Sequence, residues 1–211
     1  MYVAMKDLEI RGAGNLLGGE QSGHIAGVGF DLYVRMIGEA VNELKGDGPA
    51  EKPEVRVELP VNAHIPHDYV PGERLRLEAY TQIAAIDAET DVLAISDELS
   101  DRYGEPPEPV LNLLEVARLR TAARRAGLTD ITAAGNHIRF APVDLPDSRQ
   151  VRVQRLYPKT VLKPAVRTML VPVPKTASIG EQPLRDTELL AWCGEVIRSV
   201  LADLPVGVLM R

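Results

Sequence analysis

A chain of 211 residues with 45% apolar side chains can build a real hydrophobic core, and no stretch of it approaches the roughly eighteen uninterrupted apolar residues of a membrane span. A formal charge of -6 and an aromatic content of 4% exclude a molecule whose whole surface clamps nucleic acid, because such binding needs Lys and Arg against phosphate and aromatic rings against bases. One cysteine excludes an internal disulfide framework, four scattered histidines argue against a zinc site, and the polar, glycine-rich start is no secretory leader, so a reducing cytoplasm is the expected compartment.

In chain order, residues 1–45 read as an appendage: an apolar opening, a glycine-dense stretch from Gly12 to Gly29, then a helical pattern. Phe30, Tyr33, Val34, Ile37, Val41 and Leu44 recur at spacings of three and four, which predicts an amphipathic helix. Residues 46–53, rich in Gly, Pro and charge, form a linker. A domain over 54–211 follows. Val55 to Leu59 alternate as a half-buried strand, and Pro60 to Pro71 as an extended loop. Helices are expected at 72–87, 89–103 and 107–127, the last with Pro107 and Pro109 at its start and Gly127 past its end. A hairpin over 128–141 turning at Asn136, a strand over 166–173 and a helix over 184–204 complete an α+β fold, helix-dominated with a small sheet.

The segment Asp7 to Gly23 is the most informative. Gly12, Gly14 and Gly23 permit turns closed to residues with a Cβ, while Arg11, Gln21 and Ser22 bring hydrogen-bond donors into the same unit. A dinucleotide fingerprint fails at Leu17, and no Gly-Lys-Ser/Thr of a phosphate-binding loop occurs. By composition alone such a loop is most often a structural turn. Glu98 and Asp101, three apart on a predicted helix, share a face, but no adjacent histidine or lysine equips them for acid-base work, and solvated charge is the default for such a pair. Arg118, Arg120, Arg124 and Arg125 sit late in a helix, where cations oppose the macrodipole; they do not form one stripe along which to track phosphates. His64 and His67 fall in a loop, and Trp192 and Cys193 in an apolar helical pattern that reads as core.

The string Asp7 to Gly23 resembles the translocation motif shared by RecG fork-reversal helicases and bacterial transcription-repair coupling factors, a helical hairpin and loop. The resemblance continues through Val57-Glu58-Leu59-Pro60, Ile65 to Pro71, Arg74 to Leu77, Tyr80, Glu98 to Pro107 and Leu113 to Arg120, which look like the C-terminal domain of the coupling factors and have no RecG counterpart. It covers about the first two thirds of the chain. It implies that Arg11 and Gln21 relay ATP-driven motor closure to duplex DNA, with Gly12, Gly14, Ser22 and Gly23 shaping the loop. It also implies that Glu98 and Asp101 face a UvrA-binding module of the same protein and mask it. ATP and Mg would belong to motor domains elsewhere in a longer protein, with no cofactor, metal or catalytic residue in this chain, whose start just ahead of the motif suits a cut piece. Expected partners are double-stranded DNA, the motor domains and the UvrA-binding module, with RNA polymerase and UvrA engaged through the longer protein and no membrane. The rival readings are a stand-alone enzyme holding a phosphorylated ligand in the glycine-rich loop and a DNA-binding module.

Overall fold

The computed structural model describes residues 55–176 and 182–201. The appendage, its helix at 30–44 and the linker lie outside the described residues. The chain divides into two compact units, and the described parts are Asn62–Leu114 in one and 55–61 with 115–176 and 182–201 in the other.

The first unit is helical. Its entry from 62 to 71 has no ladder of its own, so side chains and remote carbonyls satisfy its backbone. Ile65 donates its amide to the Tyr80 hydroxyl at 2.8 Å, His64 donates its amide to the Pro109 carbonyl at 3.2 Å, and Arg76 Nη1 donates to the Val70 carbonyl at 3.1 Å. Helix α1, Glu73–Ala84, buries Arg76, Ala79, Tyr80 and Ile83, one stripe at spacings of three and four. Helix α2, Glu89–Tyr103, starts where the Asp91 carboxylate accepts the amides of Asp87 and Ala88 at 3.1 and 2.9 Å, which compensates for an N-cap alanine that has no acceptor. It ends at Gly104, whose φ of 88° and ψ of -173° suit only glycine. Helix α3, Glu108–Arg125, gives its first turns to this unit and the remainder to the other.

The second unit holds a five-stranded sheet in the order β1-β2-β3-β5-β4, formed by β1 Arg56–Glu58, β2 Asp130–Ala134, β3 His137–Ala141, β4 Val161–Lys163 and β5 Thr168–Pro172. β1 runs parallel to β2 with Val57 opposite Ile131, and every other pairing is antiparallel. The β2–β3 hairpin turns through Gly135, at φ 61°, and Asn136. Ile131, Ile138, Phe140, Met169 and Val171 are fully buried on these strands. Helix α5, Asp186–Val200, buries Leu189, Leu190, Cys193, Val196, Ile197 and Val200. Helix α4, Asp147–Leu156, lies against it through Arg149, Val153 and Tyr157: Arg149 Nη1 donates to the Val200 carbonyl at 2.9 Å, and the Tyr157 hydroxyl lies 3.0 Å from Ser199 Oγ and edge-on to Trp192.

The α+β class and all three central helices stand as expected. The sheet is larger than expected, because β4 joins it and β1 pairs across more than seventy residues of sequence. The strand expected at 166–173 is shortened to 168–172, because a 3-10 turn over Pro164–Val166 and a left-handed Arg167 at φ 48° precede it. Helix α4 was absent from the expected elements altogether. The last helix, expected at 184–204, is described as Asp186–Val200, with Leu201 as its C-cap.

Candidate functional site

Of the residues singled out in the sequence, Arg11, Gly12, Gly14, Gln21, Ser22 and Gly23 lie outside the described residues. Glu98 and Asp101 lie on α2. The buried stripe of that helix is Val92 and Leu99, so the opposite arc faces outward. Leu93, Asp97 and Asp101 follow one another at intervals of four along that arc, all exposed, with Glu98 half-buried on its flank. Leu93 keeps 56% of its surface in solvent. The arc is thus a row of carboxylates beside one exposed leucine, an acidic surface with a single apolar point.

The two carboxylates differ. Glu98 is engaged: Arg102 Nη1 donates to its Oε1 at 2.9 Å, and the Arg102 guanidinium also lies 5.2 Å from the centre of the Tyr103 ring. The bond from Glu98 raises the Arg102 pKa above its ordinary value. Asp101 has no partner among the described residues and is exposed. The C-terminal turn that carries them is pinned from a distance. The Tyr69 hydroxyl lies 3.1 Å from the Leu99 carbonyl and 2.9 Å from that of Gly104, donating its proton between them, and its ring stands edge-on to Tyr103 at 5.9 Å. Burial and the neighbouring Tyr103 push the Tyr69 pKa up, so the hydroxyl stays a donor.

Asp97 and Leu93 were missed in the sequence although the spacing of 93, 97 and 101 puts them on one face. Nothing local announces Tyr69, whose partners lie thirty and thirty-five residues on. The arginines of α3 do not act together. Arg120 is buried, Arg118 is paired with Glu115, and Arg124 and Arg125 fall in the last turn, the place where cations oppose the helix dipole. Among the described residues no three of His, Cys, Asp and Glu converge as metal ligands, and no helix is long and apolar enough to cross a membrane.

The family model described as TRCF domain matches residues 59–152, which include the whole of α2. The transcription-repair-coupling factor of Mycobacterium tuberculosis is 49% identical over 212 residues, covering 95% of this chain and 17% of the relative. That of Staphylococcus haemolyticus is 36% identical over 200 residues, covering 92% of this chain and 17% of the relative. The chain belongs to the transcription-repair coupling factor family. Its fold is that of a solved C-terminal domain of such a factor, with a TM-score of 0.56 at 19% identity over 74% of this chain and 99% of the solved one. The chain thus corresponds to the C-terminal region of a transcription-repair coupling factor, and spans about a sixth of the length of the curated relatives it matches.

Proposed function

We propose that the chain is the regulatory and motor-coupling C-terminal part of a transcription-repair coupling factor. In this reading the longer protein moves on double-stranded DNA by ATP hydrolysis, displaces stalled RNA polymerase and recruits UvrA. Residues 1–45 pass motor closure to the DNA, with Arg11 and Gln21 as the relay and Gly12, Gly14, Ser22 and Gly23 as the loop that holds them. Residues 54–211 restrain the longer protein, the α2 arc with Glu98 and Asp101 covering the basic face of its UvrA-binding module. The observation that carries the masking role is the exposed carboxylate arc, inside the matched residues 59–152, with no catalytic partner beside it.

The test is Glu98→Lys/Asp101→Lys in the longer protein. Truncating one side of a desolvated charge pair across an interface costs about 2–5 kcal/mol, so reversal opens the mask and UvrA binds more tightly. The same substitutions in the 211-residue chain touch only solvent-facing groups and the Glu98–Arg102 pair, which is worth about 0–1 kcal/mol, so its melting temperature stays near wild type. Unchanged UvrA affinity, or a strongly destabilised chain, makes these carboxylates structural or merely solvated and ends the masking assignment.

A further inference from the structure

Charge is not spread evenly in this acidic chain. No Asp or Glu occurs between Asp147 and Glu181, while Arg149, Arg152, Arg155, Lys159, Lys163 and Arg167 follow one another at intervals of three or four. The interval persists through helix α4, the turn after it, strand β4 and the 3-10 turn, so no single secondary structure produces it. The structure exposes four of the six, Arg152, Arg155, Lys159 and Lys163, while Arg149 and Arg167 are half-buried. Arg149, Val153 and Tyr157 hold α4 against α5, which leaves Ser148, Arg152 and Arg155 on the outer face, and only Val153 of the whole helix is buried. Gln154 Nε2 donates to the Thr160 carbonyl at 2.8 Å and ties the end of α4 to the start of β4. Lys159 and Lys163, both exposed, continue the surface, Lys163 on the edge strand of the sheet.

Arg56, Arg74, Arg102, Arg118 and Arg139 each meet a carboxylate of the chain. Arg152, Arg155, Lys159 and Lys163 meet none among the described residues. We propose that this surface is a sequence-independent contact for the phosphate backbone of double-stranded DNA, separate from residues 1–45 and independent of the masking role of α2. Three observations favour a duplex over other anions. The cations are strung along successive elements rather than rimming one apolar patch, and they include lysines, which protein interfaces deplete and phosphate sites accept. The exposed Val151, Leu156, Val161 and Val166 alternate singly with them along the chain, as scattered surface apolar residues do. The only aromatic side chain here is Tyr157, which is taken up by Ser199 and Trp192, so no ring is offered for stacking a single-stranded base. The net charge of -6 keeps the contact weak and makes it depend on low salt.

The experiment titrates the 211-residue chain with a fluorescent 30-base-pair duplex by anisotropy, at several KCl concentrations from about 20 to 200 mM. Four phosphates neutralised at about 0.9 each predict that log K falls by about 3–4 per decade of salt. Arg152→Gln/Arg155→Gln and Lys159→Gln/Lys163→Gln, all at exposed positions, each lower that slope by about 2 and retain the wild-type circular dichroism. Arg74→Gln, at an exposed cation of the other unit, leaves the slope intact. Absence of binding at the lowest salt, an unchanged slope in every folded glutamine pair, or a preference for single-stranded DNA overturns the proposal. Displacement of the duplex by poly-L-glutamate at equal charge assigns the surface to an acidic protein and overturns it as well. If Arg11→Ala alone abolishes binding, the DNA contact belongs to residues 1–45, and this inference fails while the motor-coupling reading stands.

Discussion

Tyr80→Phe deletes one oxygen, and the structure says what that oxygen does. The Tyr80 hydroxyl accepts the Ile65 amide at 2.8 Å, and Tyr80 and Ile65 are 7% and 4% exposed. Phenylalanine keeps the ring and its packing but leaves a buried backbone donor without this acceptor, and such a loss costs about 1–3 kcal/mol. For a chain of this size about 2–4 °C of melting temperature accompanies each kcal/mol, so the variant is expected to melt about 2–12 °C below wild type. Tyr69→Phe is the internal control. Its hydroxyl donates to the Leu99 and Gly104 carbonyls at a half-exposed helix end, where water can replace it, so its cost is near the usual net value of about 0.5–1.5 kcal/mol. Thermal unfolding by circular dichroism ranks the two, and hydrogen exchange at the Ile65 amide reports the site directly. A Tyr80→Phe variant that melts with wild type and protects Ile65 equally, or one milder than Tyr69→Phe, refutes the reasoning.

Two further outcomes are expected. Burial pushes the Cys193 thiol up to about 12, so Ellman's reagent at about pH 8 should leave the native chain unlabelled and react once guanidinium unfolds it; rapid native labelling would contradict the burial of α5. Burial, opposed only in part by Asp68, lowers the pKa of His64 below its ordinary 6.5. The unfolded chain then binds the proton more readily, so this contribution to stability is complete above 6.5 and is lost as the pH falls below it. Chemical unfolding between about pH 7.5 and 5.5 should show that slope in wild type and less of it in His64→Gln, and equal slopes would show that His64 does not titrate this way.

The sequence by itself determined the elements whose burial is periodic. The alternation of Val55, Val57 and Leu59 marked β1, and the stripe Arg76, Ala79, Tyr80, Ile83 belongs to a helix anticipated to within a few residues. Helix α2 was anticipated to the residue, because Gly104 ends it in a conformation that only glycine adopts freely. Family membership was legible too, through ordered strings such as Ile65 to Pro71 and Glu98 to Pro107 inside the matched residues 59–152. Helix α4 was not legible. Only Val153 of its residues is buried, so it carries no apolar stripe, and its place is set by Arg149 and Tyr157 reaching α5 some forty to fifty residues away. β4, three residues long with only Leu162 half-buried, falls below any pattern and exists because β5 offers it a ladder. The site divides the same way. The spacing of Glu98 and Asp101 put two carboxylates on one face. The i,i+4 spacing likewise put Arg102 within reach of Glu98 on the same helix, whereas tertiary structure decided that Tyr69 pins the turn beneath both, because its partners thirty and thirty-five residues on are chosen by which surfaces meet once the chain has folded.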